Sequence, residues 1–479
     1  MFRRMVLPAL LVAGLLACGG GGRSGSSSGS GSDGGGDAGG GLGKRIEDAL
    51  DRIGGVDRLP GRDGGTGSVD DRGPSLEPAL ARYVATDGDD ANPGTKELPW
   101  RTPAHAVRNA EPGMKILLRG GTYAPFTIDT VDGTAAKPIV LAAAPGSRPV
   151  ISGGSVLVRR AWWELEGLEV RPGANAGVRF TGTGAHHGAL RNSVVRDGSA
   201  AYGVSVDLGA THVTIEGNEI MNIWRGADID AHGIVIQPDA VGVRILGNEI
   251  HGNSGDSIQC IGPDQDAPSG QPARDLLIEG NFLHGDRENA VDIKHCLDVT
   301  IRGNVAVGYR KSATSNGEAI VIHKGARNVR VEHNDISESS RGIVTGVGAS
   351  DVLVRRNVIH APVDERVGIL FGEGSNKTAI HNTIVGANRG VQILAEARGV
   401  TVRNNLFSGV TQSVSGAASV DSNLFHAAPV AGAAAITGDP LLDGEFVPRL
   451  GSPAIDSAVP GDEAPHCGVA PDVGANERC

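Results

Sequence analysis

The sequence predicts an all-β chain wound as a right-handed parallel β-helix, with a small capping helix near its N-terminal end. The first observation is a repeated phrase, an apolar strand that ends in Asn. It carries Asn192 (LRNSV), Asn218 (IEGNEI), Asn248 (ILGNEI), Asn281 (IEGNFL) and Asn304 (IRGNVA). Later copies carry Asn334 (VEHNDI), Asn357 (VRRNVI), Asn382 (IHNTI) and Asn405 (VRNNLF), so that neighbouring copies stand 23 to 33 residues apart. Repetition at such a period builds a solenoid, in which each coil buries its apolar face on the next. The second observation is another apolar run within each repeat: GIVIQ (233–237), SIQCI (257–261), AVDIK (290–294), AIVIH (319–323), RGIVT (341–345), GILFG (368–372) and GVQIL (390–394). These runs have strand length and are bounded by Gly, Asn and Asp, and no helical pattern intervenes, which excludes the βαβ route to a parallel sheet. Third, aromatic residues make up only 3% of the chain against 73 glycines, which suits thin stacked strands and tight turns.

The Asn column follows from that geometry. At a tight turn an amide donates to and accepts from its copies in neighbouring coils, and so satisfies groups that would cost about 1–3 kcal/mol each if buried unpaired. The ladder is read as structural, without a catalytic role.

From the N-terminus, residues 1–18 read as a targeting segment: Arg3 and Arg4, an apolar run from Met5 to Ala17, then Leu15-Leu16-Ala17-Cys18. The run is short and ends in small residues, as in a signal peptide rather than a membrane span. Its end resembles a bacterial lipobox, which implies that Cys18 carries lipid. Residues 19–80 open with a Gly/Ser-rich stretch and read as a flexible tether. The expected location is extracytoplasmic: an outer-membrane or surface lipoprotein, or a secreted protein, touching membrane only through the lipid anchor. Residues 81–438 form the solenoid and 439–479 a C-terminal cap; a monomer is expected. Net charge is −11, which argues against nucleic acid as partner. Four cysteines follow the lipobox, an even number that suggests disulfides in an exported chain. Cys467 and Cys479 would close a short loop, and Cys260 and Cys296 lie on successive coils.

Residues 83–123 contain Tyr83-Val84-Ala85, Asp87-Gly88-Asp89-Asp90, Gly94-Thr95, Pro99-Trp100 and Gly120-Gly121-Thr122-Tyr123. This stretch resembles the N-terminal unit of secreted bacterial β-helix proteins, especially the pectate lyases of polysaccharide lyase family 9. The resemblance implies a leading strand, a loop and a helix near 103–110 that covers the open end of the core. The tail DPLLDGEFVPRLGSPAIDSA followed by APDVGANE (470–477) is similar to the C-terminal module of the same proteins.

The segments 219–232, 262–275 and 305–318 are longer than their counterparts and surround the coils of GIVIQ, SIQCI, AVDIK and AIVIH. Long loops on minimal coils are functional or disordered. Alternation turns Val291 and Ile293 inward and Asp292 and Lys294 outward. The same count places Val235, Gln259, Asp292 and Val321 in one outward column, and Gln237, Ile261, Lys294 and His323 in the next. Asp256, Asn289, Glu318 and Arg341 stand where the strands begin.

These residues suit β-elimination from a uronic acid, which needs a base for a weakly acidic proton and a cation for the enolate-like intermediate. Lys294 is the preferred base and His323 a second group for proton transfer. Asp228, Asp230, Asp256 and Asp292 are the candidate ligands of a Ca²⁺ ion. Gln237, Gln259, Glu318 and Arg341 are expected to bind substrate, an acidic polysaccharide. The lyases of the resembled family carry their base Lys in a phrase like G-F-K-L-G; here Asp292 falls at that place and Lys294 two residues later. A glycoside hydrolase on the same fold, using Asp228, Asp256 and Asp292, is one alternative. A non-catalytic glycan-binding or adhesive surface lipoprotein is another. Trp162-Trp163 reads as a sugar platform or, for Trp163, as core.

Overall fold

The computed structural model describes residues 81–263, 269–461 and 466–479, all within one compact unit. Cys18 and the tether (19–80) lie outside the described residues. The chain winds through three parallel sheets in turn. Sheet 1 has 14 strands, from Ala81–Val84 to Ser419–Asp421; sheet 2 has 14, from Gly121–Tyr123 to Ile436–Thr437; sheet 3 has 12, from Thr127–Ile128 to Gln412–Ser415. The fold is the expected right-handed parallel β-helix. Alternating residues of all three sheets fill one continuous core, with a helix (α1, Pro103–Arg108) at the N-terminal end. Thr102 caps α1 by accepting the His105 N–H at 3.1 Å, Pro103 fits the first turn, and Ala106 and Val107 bury themselves over the first coil.

The Asn ladder stands at the turn between sheets 1 and 2. Asn218 donates its amide to Asn248 Oδ1 at 2.9 Å, Asn248 to Asn281 at 3.0 Å and Asn281 to Asn304 at 2.8 Å. The chain of amides continues through Asn334, Asn357, Asn382 and Asn405 to Asn423. Each inner amide also reaches a carbonyl of the preceding coil, as Asn248 does to Ile215 O at 2.9 Å. The ends differ from expectation. Asn192 lies outside the ladder, in the left-handed conformation at φ 47°, and Ser193 takes the ladder place, its N–H donating to Asn218 Oδ1 at 3.0 Å. In the next two coils glycine holds the left-handed turn position, Gly217 at φ 64° and Gly247 at φ 58°, which explains the recurrent Gly-Asn phrase.

Both cysteine pairs are disulfide-bonded, Cys260–Cys296 with Cα atoms 6.4 Å apart and Cys467–Cys479 with 5.1 Å. The tail folds back along the last coils. Arg356 pairs with Glu477 at 2.9 Å, and His381 Nδ1 lies 3.0 Å from the Asp472 carbonyl. A second apolar cluster joins Leu406 and Leu424 to Ala454, Ala458 and Val473. Among the described residues, no helix is long and apolar enough to cross a membrane.

Candidate active site

Sheet 3 supplies the floor of a groove. Its register is Val235↔Gln259↔Asp292↔Val321↔Val344↔Leu370↔Gln392, with Lys294↔His323 in the neighbouring column. Val291 and Ile293 are fully buried, so Asp292 and Lys294 project from the other face. Asp292 links two coils: its Oδ1 lies 2.8 Å from His323 Nε2 and its Oδ2 3.1 Å from Lys294 Nζ. Burial alone would raise the Asp292 carboxyl, yet the His323 hydrogen bond and the Lys294 ammonium hold it below the usual carboxylate range. The lysine and histidine side chains remain partly open, at 16% and 26% exposure. Sequence alternation thus placed all three on one surface, and parallel stacking brings them into contact.

Two of the three long loops, 219–232 and 305–318, contribute to the rim. Arg287 joins these two, donating to Thr314 Oγ1 at 2.7 Å and pairing with Asp230, and it also donates to Ser254 O at 2.7 Å. Burial and the nearby Asp256 raise the Glu288 carboxyl, which accepts the Thr314 hydroxyl. Glu318 accepts from Arg341 at 3.1 Å, and Arg341 also pairs with Glu365 at 2.7 Å. Gln259 donates to Asp256 Oδ2 at 2.9 Å, so its amide braces the floor. Gln237 is half-buried in the column of Lys294 and His323.

The four carboxylates expected to share Ca²⁺ do not converge. Asp228 is exposed, and Asp230 is committed to Arg287. Asp256 is fully buried and accepts from the Asn289 N–H at 3.0 Å and amide at 2.8 Å. Asp292 is held by Lys294 and His323. A hard cation wants six to eight oxygens around one point, and Asp230, Asp256 and Asp292 offer their oxygens to separate nitrogen donors. The donor set therefore does not fit calcium. Trp163 is core, its indole donating to Val131 O at 2.8 Å, while Trp162 stacks on His187 with ring centroids 4.3 Å apart.

One coil beyond His323 the floor continues into a cleft of about 470 Å³, lined by Arg341, Val344, Glu365, Leu370, Arg389 and Gln392 among others. Sequence reasoning missed Arg389, Glu365 and Gln392. The phrases RGIVT and RGVQI held the signal, because they put Arg341 and Arg389 at equivalent strand starts, aligned through Val367.

Residues 82–256 match the family model described as Pel9A-like, right handed beta helix region, and residues 232–407 match the one described as right handed beta helix region. The resemblance to Pel9A-like β-helix proteins read from residues 83–123 is thereby shown. The chain is 34% identical to uncharacterized protein YwoF of Bacillus subtilis over 153 residues, 32% of this chain and 31% of that protein. It is 42% identical to pectate lyase PEL9 of Emericella nidulans over 73 residues, 15% of this chain and 18% of that one. Both matches span less than a third of the relative's own length. Among solved structures, the alginate lyase AlyGC of family PL6 shares the fold at a TM-score of 0.54 and 16% identity, over 77% of this chain and 55% of that one. Pectate lyase Pel9A aligns over 85% of this chain and 98% of its own, at 19% identity and a TM-score of 0.48.

Proposed function

From the premise of a right-handed parallel β-helix with a Pel9A-like N-terminal half, we propose that the protein is an extracytoplasmic lyase. It cleaves a uronate-containing polysaccharide by β-elimination in the groove over sheet 3. The observation that carries this reading is the Asp292 carboxylate held between Lys294 and His323.

That contact sorts the two nitrogen bases. Lys294 Nζ lies 3.1 Å from the Asp292 carboxylate, and the ammonium is the form that this contact suits. His323 turns Nε2 toward Asp292, and an imidazole that donates there keeps its lone pair on Nδ1. His323 is therefore the base and Lys294 the cation, the reverse of the order drawn from the sequence. The imidazole takes the proton from the uronate C5, Asp292 stabilises the imidazolium, and the Lys294 ammonium neutralises the substrate carboxylate as charge develops on it. The C4–O4 bond breaks, a C4–C5 double bond forms, and the released O4 takes up a proton. No step passes through calcium.

The apolar floor of Val321, Val344 and Leu370 supports the same reading, since it suits the C–H faces of sugar rings. The test follows the ultraviolet absorbance of the unsaturated product on polyuronates. His323→Ala should lower kcat by about 10²–10⁴-fold. Lys294→Ala should weaken the transition state while leaving the protein folded. Full activity in His323→Ala with silence in Lys294→Ala would return the base to Lys294. Saturable binding of oligosaccharide without product would make the groove a glycan-binding surface.

A further inference from the structure

Sheet 2 carries a second cluster of titratable groups, on strands that lead into the coils of the groove. Strands Glu219–Ile223, Glu249–His251 and Phe282–His284 are neighbours, in the register Glu219↔Glu249↔Phe282 and Met221↔His251↔His284. Glu249 and His251 stand two residues apart and share the outer face, and His284 stacks on His251 one coil later. The two imidazole planes are nearly parallel, 8° apart with centroids at 4.7 Å. His284 Nε2 lies 3.2 Å from Glu249 Oε1, and His251 Nε2 lies 3.4 Å from Glu219 Oε1. Donor atoms of Glu249, His251 and His284 all fall within 4.8 Å of one another, and all three residues are half-buried.

We infer that Glu249, His251 and His284 bind one divalent transition-metal ion, with Zn²⁺ as the best fit. The separations leave room for an ion. A charge-assisted N–H···O bond is usually about 2.7–2.9 Å long, shorter than either contact here. Donors about 2.0–2.1 Å from a tetrahedral Zn²⁺ stand about 3.3 Å from one another, and His284 and Glu249 already stand 3.2 Å apart. The ligand types agree, because imidazole and carboxylate suit Zn²⁺, whereas Ca²⁺ and Mg²⁺ prefer all-oxygen shells. One cation would satisfy both imidazole lone pairs and the Glu249 carboxylate together. Bound there, the ion clips successive coils from outside, across the sheet face that the Asn ladder does not reach.

The experiment titrates Zn²⁺ into the whole chain after chelator treatment and dialysis, followed by calorimetry, and repeats with Co²⁺ followed by its visible absorption. One ion per chain is expected, with a tetrahedral Co²⁺ spectrum. His251→Ala and His284→Ala should each raise Kd by roughly tenfold or more, and His212→Ala, in a separate histidine stack, should leave it unchanged. Circular dichroism shows whether each variant folds, and Glu249→Gln, a nearly isosteric change, should also weaken binding. Saturable binding that survives the His251→Ala/His284→Ala pair, or no saturable binding by the parent chain, would overturn the assignment.

Discussion

Asp286 to Asn is a substitution that should stabilise this protein, and only at the alkaline end of its range. Asp286 is 5% exposed and sits where a short second ladder ends. Asn253 Oδ1 accepts the Ile223 N–H at 3.0 Å, and Asp286 Oδ1 in turn accepts the Asn253 N–H at 2.6 Å and its amide at 2.8 Å. The other oxygen faces the hydroxyls of Ser257 and Tyr309. Burial pushes the Asp286 carboxyl from an ordinary 3.8 up to about 7, opposed by hydrogen bonds from Ser257 and Asn253. An acid raised on folding is protonated in the native state while the unfolded chain is already ionised. Its burden on stability is therefore absent below the ordinary value, grows as pH climbs toward 7, and is complete above it. A rise of about three pH units at roughly 1.36 kcal/mol each comes to about 4 kcal/mol. About half of that accrues between about pH 5 and 7. Asn keeps the acceptor that Asn253 needs and presents an amide that both hydroxyls can accept. Urea unfolding followed by tryptophan fluorescence, in chelator, should show Asp286→Asn well above the parent chain at about pH 8, with the gap mostly closed at about pH 5. A gap independent of pH would refute the reasoning.

Other substitutions probe the frame. Asn304→Ala, in the middle of the long ladder, strands partners in both neighbouring coils and should cost about 3–5 kcal/mol in the same unfolding measurement, whereas Asn423→Ala, at the ladder's end, should cost less. Lys377 occupies a fully buried position in sheet 1 and donates to Gly372 O and Glu373 O, both at 2.7 Å. Lys377→Met leaves both carbonyls unpaired and should lower stability by about 2–3 kcal/mol. Burial lowers the Lys377 pKa to about 8, so the parent chain should regain stability as pH rises above that value, and the variant should not. Removing Cys260–Cys296 as a double Ala variant opens a loop spanning 36 residues and should cost about 2–4 kcal/mol by chemical denaturation.

The fold was legible because a solenoid writes its period into the chain. The Gly-Asn phrases marked the turn between sheets 1 and 2, and alternation in VDIK and VIH predicted which residues leave the core. Coil register was legible too: Asp292 and Lys294 were counted into the columns that parallel pairing gives them. The first ladder member was misread, because Asn192 sits beside Ser193 and only the backbone shows which residue turns inward. The side chains' choice of partners was not legible. Acidic residues in sequence look alike, whether one is saturated by backbone and amide donors, as Asp256 is, or bridges a lysine and a histidine, as Asp292 does. The pairing of Glu249 with His284 was equally hidden, since the two are 35 residues apart and meet only through stacking.

The most direct measurement incubates the full-length protein with pectate, alginate and glycosaminoglycans in excess chelator and records both ultraviolet absorbance and new reducing ends. Absorbance and reducing ends should rise together on a uronate polymer, unaffected by chelator and abolished by His323→Ala. Reducing ends without absorbance, or absorbance that appears only when Ca²⁺ is restored, would contradict a lyase whose charge is balanced by Lys294.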